Sequence, residues 1–160
     1  MTQIELRPFL ASDRAWMIET HIHTYERDEG FDATFGVLIA QILDDFLANH
    51  DPEIEQGWIA WDGDTRLGSI FCVKLSAQTA KLRLFQLVPE ARGRKLGLKL
   101  LEACTDFARD KGYQDMVLAT HKSHEAAVAL YLRNGWTILD EKPVVSFGQS
   151  LIEQTLTRSL

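Results

Sequence analysis

Two hydrophobic spacings alternate along the 160-residue chain, one typical of helices and one typical of strands. Apolar residues three and four positions apart predict a first helix, which is capped by Ser12 or Asp13 and stopped by Gly30. A second helix is predicted between Asp32 and Asp51. Shorter runs of strand character fall at residues 3–7, 57–61 and 67–75. The sequence D-G-D-T between the last two runs predicts a hairpin turn.

A strand passes directly into a helix between residues 79 and 101. Residues 81–86 alternate with a period of two, and Pro89 ends this strand because proline cannot donate to a ladder. The turn R-G-R-K-L-G at residues 92–97 follows, so Gly97 lies at the start of the helix. Unpaired N–H groups and the positive end of the helix dipole attract anions there. The pattern predicts a pyrophosphate cradle, and the alternative is a solvated basic turn.

Strand and helix signals continue to alternate after this turn. Ser123 can cap a later helix, and Asn134 with Gly135 can close it. The strands predicted in this half lie at residues 114–120, 136–140 and 150–158. This order of elements predicts a mixed α/β (α+β) sheet layered by helices, folded as a single domain over residues 1–160.

Composition and charge exclude several functions. The formal charge of −6 gives no general attraction to nucleic acid or to an anionic membrane, and the relevant basic residues are confined to residues 81–99. No apolar run approaches the ~20 residues of a membrane span, and the N-terminus lacks a signal peptide's apolar core, so we expect a cytoplasmic protein. Cys72 and Cys104 are expected to be reduced core residues. His21 and His23 are two residues apart on a helix and point in different directions, so no metal site is expected.

The turn at residues 92–97 resembles motif A of the GCN5-related N-acetyltransferases, the GNAT superfamily. Arg92 and Gly97 match the outer positions of that motif, whereas Lys95 stands where most members have their first glycine. The segment A-A-V-A-L-Y-L-R-N-G-W at residues 126–136 resembles the family's later helix, A-x-x-L-Y-x-x-x-G-F, in all but its last residue. The order of predicted elements fits as well, so the resemblance covers most of the chain.

The resemblance implies a GNAT fold, with a mixed central sheet of about seven strands and about four flanking helices. In that fold the strands at residues 84–88 and 114–120 splay apart and leave a slot for pantetheine. Four segments also look like the acetyltransferase half of bacterial proteins that join it to a MarR-type helix-turn-helix domain; no such DNA-binding half is present in these 160 residues. The segments are H-I-H-T-Y near Ile22, G-F-D-A-T-F from Gly30, A-K-L-R-L from Ala80 and S-F-G-Q-S-L from Ser146.

Acetyl-coenzyme A is the co-substrate that this resemblance implies. Main-chain groups of Leu87 and Val88 are expected to contact the pantetheine and the acetyl carbonyl. The residues expected to hold the pyrophosphate are Arg92, Gly93, Arg94, Lys95, Leu96 and Gly97. His124 stands where many members carry a cofactor-binding asparagine; it can donate in that residue's place or simply sit in the first turn of an exposed helix.

Tyr131 occupies the family's tyrosine position and is the candidate general acid for the departing thiolate. A phenol with an unperturbed pKa of ~10 stays protonated at neutral pH; the alternative is a tyrosine that packs its helix against the sheet. The general base is less defined, because Lys81 stands where some members hold a glutamate. Glu26, Asp28 and Glu29, at the end of the first helix, are candidates, and each can equally be a solvated charge.

The acceptor pocket is expected beside the end of the first helix. His21 lies one turn from Tyr25, so both are assigned to this pocket together with Glu26, although His21 can equally be a packing histidine. Arg83 shares a strand face with Lys81. The two can pair with a carboxylate on the acceptor or with acidic residues of a neighbouring strand.

Three functions follow from the sequence. The leading hypothesis is an N-acetyltransferase that moves acetyl from coenzyme A to a primary amine of a small molecule or peptide, by direct attack and without a covalent enzyme intermediate. The second is an acyltransferase of the same fold that uses a longer acyl-CoA. The third is a non-catalytic acyl-CoA-binding regulatory module. Dimerisation through the last strands is left open.

Overall fold

The computed structural model describes residues 3–160, which form one seven-stranded mixed sheet with four α-helices. The strands are β1 (Ile4–Pro8), β2 (Gln56–Asp62), β3 (Thr65–Lys74), β4 (Thr79–Leu87), β5 (Asp115–His121), β6 (Thr137–Ser146) and β7 (Gln149–Ser159). The helices are α1 (Arg14–Glu29), α2 (Ala33–Asn49), α3 (Leu96–Asp110) and α4 (Glu125–Arg133). The strand order is β1-β2-β3-β4-β5-β7-β6, with β4 and β5 parallel and the other neighbours antiparallel. The predicted fold class is confirmed.

Helices cover both faces of the sheet, so the protein has two hydrophobic cores. On one face, Met17 of α1 and Leu43 of α2 pack in the same cluster as Phe71 of β3, and all three are fully buried. On the other face, Leu100 of α3 and Tyr131 of α4 belong to a second cluster. Strand residues alternate between the two cores because successive side chains point to opposite faces.

The predicted ends of the first two helices are confirmed. Gly30 follows α1 with φ of +68°, a left-handed conformation that glycine adopts without strain. Asp32 caps α2, and its side chain accepts a hydrogen bond of 3.0 Å from the N–H of Thr34. The sheet order then requires the chain to cross from α2 into β2, where the predicted hairpin with β3 forms around Gly63.

Two boundaries differ from the sequence prediction. His124, rather than Ser123, occupies the N-cap position of α4. The last two strands are longer than predicted, because β6 and β7 stay paired up to Ser146 and Gln149. β6 is an edge strand with mostly exposed residues, so its sequence lacks the buried-face alternation by which strands are recognised.

The central strands splay apart, as predicted. β4 and β5 pair at only three positions, the last of which joins Lys81 to Val117, and they diverge beyond it. β4 also carries an irregularity opposite Ser69 and Phe71 of β3, where Leu84 has φ of +55°. Such a conformation in a non-glycine residue costs about 1–3 kcal/mol and is found mostly at functional sites.

The bend at Leu84 changes which way β4 side chains point. Leu82 and Phe85 belong to the core under α3, whereas Leu84 belongs to the core under α1 and α2. Positions 82 and 85 would lie on opposite faces of a regular strand. The simple alternation predicted for residues 81–86 is therefore wrong from Leu84 onward.

Candidate functional site

A cavity of about 840 Å³ opens where β4 and β5 diverge. Its walls come from α1, α2, β4, β5, α4, the turn before α3 and the β6–β7 turn. The predicted site residues that line it are His21, Tyr25, Arg83, Leu87, Arg92, Gly93, Gly97, His124 and Tyr131. Residues predicted from four separate segments of sequence therefore meet in one space.

The remaining predicted site residues have other surroundings. Leu96 is buried in the core under α3, and Val88 packs against that core. The Val88 N–H donates to Leu67 O at 2.9 Å, and its carbonyl accepts from the Ala91 N–H at 3.0 Å. Lys95 and Glu26 have exposed side chains.

The start of α3 forms one end of the cavity. The first-turn amides of an α-helix have no intrahelical acceptors, and here Gly97 in that turn lies on the cavity wall. A Cβ atom at Gly97 would approach Leu130 of α4 to 3.3 Å, so glycine lets the two helices pack closely beside the cavity. Lys95, the N-cap residue, has φ of +58°, which explains why a glycine is favoured at its position. The main chain can thus hold an anion here.

Two arginines of the predicted cradle pair with carboxylates. The Arg92 guanidinium donates to Asp28 Oδ2 at 3.2 Å, and Arg94 donates to Asp62 Oδ2 at 3.3 Å. Arg27 also donates to Asp28, and these bonds from Arg27 and Arg92 hold the pKa of Asp28 below its usual range. Asp28 and Arg92 line the cavity, so the end of α1 is tied to the turn before α3.

A carboxylate and an imidazole meet on the same wall. Glu29 Oε1 lies 3.2 Å from His124 Nε2, and the two side chains are only 10% and 18% exposed. Two alternatives left open by the sequence are therefore wrong. Glu29 is not a solvated charge, and His124 does not lie in an exposed first turn. Burial lowers the pKa of His124, while Glu29 acts in the opposite direction. His124 Nδ1 lies 3.4 Å from Thr120 Oγ1.

The buried phenols lie near this pair. The ring of Tyr25 is centred 5.0 Å from that of His124, and burial with the nearby Glu29 raises the pKa of Tyr25 to about 12. Tyr131 is 4% exposed, and burial, followed by the influence of Tyr25, raises its pKa well above the usual value. Both side chains therefore stay protonated at neutral pH.

Aromatic side chains form the wall opposite β4. The ring of Phe31 is centred 5.1 Å from Phe35 and 4.8 Å from Phe147, and Tyr25 lies 4.6 Å from Phe35. Phe147 comes from the β6–β7 turn, whose main chain accepts a 2.9 Å hydrogen bond from the Asp32 N–H. Sequence analysis missed this wall, because Phe147 is distant in the chain from the residues that it contacts.

His21 is both a packing residue and a residue of the cavity wall. His21 is 2% exposed, lines the cavity, and donates from Nδ1 to the Met17 carbonyl at 2.7 Å. Burial lowers its pKa to about 4, so it is neutral at physiological pH. His23 is exposed. Within residues 3–160 no group of three or more His, Cys, Asp or Glu side chains is placed to hold a metal ion.

Known proteins share both the sequence pattern and the architecture. The profile of the Acetyltransferase (GNAT) family matches residues 14–136. The chain belongs to this family. The match contains α1, the turn before α3 and all of α4, so the whole cavity wall except the β6–β7 side falls within the matched residues.

Two curated proteins illustrate the relationship of this GNAT chain at the sequence level. It is 31% identical over 86 residues to N-alpha-acetyltransferase 30 of Schizosaccharomyces pombe, a match that covers 51% of this chain and 57% of that protein. It is 32% identical over 84 residues to N-acetyltransferase 8B of Rattus norvegicus, covering 49% of this chain and 38% of that protein. The matched part of the chain thus spans about half or less of the length of these curated relatives.

Solved GNAT structures have the same fold over nearly the full chain. An acetyltransferase of Staphylococcus aureus superposes with a TM-score of 0.80 at 18% identity and covers 99% of both chains. The acetyltransferase yncA of Salmonella typhimurium, solved with its cofactor acetyl-CoA, gives a TM-score of 0.79 at 20% identity and covers 98% of this chain and 94% of its own. No helix within residues 3–160 has both the length and the apolar character to cross a bilayer.

Proposed function

We propose that this GNAT protein transfers an acetyl group from acetyl-CoA to a primary amine. The observation that carries the proposal is the Glu29–His124 pair, which lies inside a cavity that also reaches the start of α3 and the buried Tyr131. A site for acyl transfer needs an anion cradle, a proton acceptor and a proton donor. The proposal is further supported by the names of the matched relatives, both of which are N-acetyltransferases.

The cavity fits acetyl-CoA in its polar and apolar parts. The first-turn amides of α3 and the Arg92 guanidinium would hold the pyrophosphate, and Gly97 leaves the main chain accessible there. Leu87 at the end of β4 and Leu118 on β5 line the gap between the splayed strands, where the pantetheine would lie. When bound, acetyl-CoA supplies an activated thioester carbonyl. The structural neighbour solved with acetyl-CoA supports this choice of cofactor.

His124 is the proposed proton acceptor, and Glu29 orients it. Because a carboxylate has no proton to donate, the tautomer that suits the 3.2 Å contact carries its proton on Nε2, facing Glu29, which leaves Nδ1 as the basic atom. Burial keeps the pKa of His124 below its usual value, so the imidazole is neutral near pH 7. As the neutral amine nitrogen bonds to the thioester carbonyl carbon, Nδ1 takes the proton that this nitrogen loses, and Glu29 stabilises the resulting imidazolium.

Tyr131 is the proposed proton donor. Its phenol is buried and keeps its proton because burial raises its pKa well above the usual value. The donated proton goes to the leaving sulfur, and the phenol recovers a proton from solvent. The acceptor His124 thus lies at the N-cap of the helix that carries the donor two turns later.

The other hypotheses differ in their demands on this cavity. A longer acyl group would have to enter among the aromatic side chains. Comparing turnover with acetyl-CoA and with a longer acyl-CoA decides between an acetyltransferase and a longer-chain acyltransferase. A binding module needs no proton acceptor, so the buried Glu29–His124 pair favours an enzyme. The closer likeness to MarR-fused acetyltransferases, the cytoplasmic location and a dimer formed through β6 and β7 stay predictions.

The test combines binding with turnover. Isothermal titration with acetyl-CoA should show binding that is abolished in Gly97→Trp, because the indole would fill the cradle. Glu102→Trp is the matched control, since this exposed residue lies farther along α3. Release of free thiol in the presence of an amine panel should then depend on His124. Absence of acetyl-CoA binding by the parent protein would overturn the proposal, and so would binding with no thiol release from any amine.

A further inference from the structure

Three polar side chains form a row along the part of β4 that lines the cavity. The register places Lys81 opposite Val73, Arg83 opposite Phe71 and Gln86 opposite Ser69. These β3 partners are spaced two residues apart, so the three side chains share the sheet face that carries α1 and α2. The irregularity at Leu84 brings Gln86 onto this face, and the row is about 13 Å long at ~3.3 Å per residue.

The two cations in this row have no ion-pair partner among residues 3–160. Within residues 3–160 no carboxylate oxygen lies within 4.0 Å of the Lys81 ammonium or the Arg83 guanidinium. Glu153 raises the pKa of Lys81 from beyond 4.0 Å and is itself paired with Lys142 at 3.7 Å. Asp45 raises the pKa of Arg83, also from beyond 4.0 Å. Burial lowers the pKa of both cations, which means that each is held partly out of water.

Gln86 provides a second, independent sign that a polar ligand belongs here. It is 6% exposed and lines the cavity, and neither its amide nitrogen nor its amide oxygen has a hydrogen-bond partner within the part of the chain that the structure describes. Leaving both groups of a buried amide unpaired is costly, and such groups are rare in native proteins. A ligand that offers both a donor and an acceptor would satisfy them.

The wall opposite this row is apolar, so the cavity also favours a ligand that carries an apolar group. It consists of aromatic rings, including Phe31, Phe35 and Phe147, and of the aliphatic side chains Leu38 and Ile42 of α2. An apolar group placed there loses its contact with water and gains dispersion contacts. The cavity thus has two cations without ion-pair partners among residues 3–160 along β4, an apolar wall opposite them, and its carboxylates Asp28, Glu29, Glu125 and Glu153 elsewhere in the lining.

We infer that the acceptor is an amine that also carries a carboxylate and an apolar side chain, as amino acids and short peptides do. The inference rests on the proposed acetyl transfer. Lys81 and Arg83 bind the carboxylate, the aromatic wall binds the apolar side chain, and Gln86 bonds to the amide or amine between them. Polyamines and other polycationic acceptors are disfavoured, because they would place further positive charge beside two cations without partners.

The test compares pairs of acceptors, each an acid and its carboxamide, and adds a polyamine. Thiol release from acetyl-CoA is measured with phenylalanine, phenylalanyl-glycine and phenylalanyl-glycyl-glycine, each against its C-terminal carboxamide, and with spermidine. The series varies the distance between amine and carboxylate. For at least one length, kcat/KM should be about 10- to 100-fold higher for the acid than for the carboxamide, as expected for a charge-assisted hydrogen bond. Spermidine should be the poorest substrate.

Variants assign the effect to the row. Arg83→Gln and Lys81→Gln should each reduce the preference for the acid while leaving the affinity for acetyl-CoA unchanged, which also reports that the variant is folded. Lys74→Gln is the control, since it removes an exposed lysine from neighbouring β3. Carboxamides or spermidine reacting as well as the acids would overturn the inference and leave the acetyl transfer intact. Acetyl-CoA binding without thiol release from any amine would instead overturn the proposed function, and the inference with it.

Discussion

Glu29, the last residue of α1, contacts His124 at the N-cap of α4, with 3.2 Å between Oε1 and Nε2. The contact joins two helices that pack against opposite faces of the sheet. It places a carboxylate and an imidazole with lowered pKa in the same cavity wall, which is the arrangement that a proton acceptor requires.

Replacing Glu29 by Gln should lower kcat by about 10- to 100-fold with little change in acetyl-CoA affinity, because the imidazolium loses its stabilising charge. His124 must be unprotonated to act, so the rate should fall as pH drops through its pKa, below the usual 6.5. Since Glu29 raises that pKa, the acid limb of the kcat profile should move to lower pH in Glu29→Gln.

Glu26→Gln is the matched control for this profile, because Glu26 is exposed on the same helix. It should leave both kcat and the acid limb unchanged. If the acid limb moved in Glu26→Gln and stayed fixed in Glu29→Gln, the carboxylate that acts on His124 would be Glu26, and the assignment of Glu29 would be wrong.

Tyr131→Phe should lower kcat by about 100-fold or more and retain acetyl-CoA binding, because the change removes only the donated proton. Burial raises the pKa of Tyr131 well above the usual value, so the parent should show no alkaline limb from this residue between pH 7 and 10. Steady-state rates across that range measure both effects. Tyr113→Phe is the control, since its hydroxyl bonds to the Ile54 carbonyl, and its turnover should be normal.

Asp28→Asn should tighten acetyl-CoA binding by several-fold, because it frees Arg92 and removes a negative charge beside the cradle. Titration at two ionic strengths should show a steeper salt dependence in the variant. Asp62→Asn frees Arg94 instead, and it should change the affinity less because Arg94 points toward β2. Weaker binding by Asp28→Asn would mean that the carboxylate is needed to orient Arg92.

Lys95→Gly should raise the free energy of unfolding by about 0.5–1 kcal/mol. A left-handed conformation costs an L-residue about 1–2 kcal/mol, and the extra flexibility of glycine in the unfolded chain offsets part of this gain. Urea denaturation measures the change. Glu102→Gly, at an exposed position in the middle of α3, should lower the free energy of unfolding by about 1 kcal/mol. The same loss in Lys95→Gly would show that the left-handed conformation at position 95 does not favour glycine.

Local signals in the sequence were enough to predict most of the elements. Gly30 and Asp32 mark the ends of α1 and α2 through their own conformational and hydrogen-bonding chemistry, which neighbouring residues alone decide. The strand, turn and helix of β4 and α3 were predicted in the same way, because they follow one another without a spacer.

Features that depend on distant contacts were not predictable. The left-handed Leu84 has no sequence mark, and without it Gln86 would be assigned to the opposite face of β4. The burial of Glu29 and His124 depends on α1 and α4 meeting across the sheet, whereas each residue by itself looks like a solvated side chain. Pairing between residues far apart in sequence decides both cases.

The turn between β6 and β7 gives the cavity an order of assembly. Gln149 donates to the Gly30 carbonyl across 119 positions of sequence, and Phe147 completes the aromatic wall beside it. Contacts of such separation form late, and during synthesis the N-terminal part of a chain emerges first. We therefore expect the turn before α3 to take shape in a nascent chain before Phe147 completes the aromatic wall. If the chain transfers acetyl groups as proposed, changes in that hairpin should alter the choice of amine and leave acetyl-CoA binding unchanged.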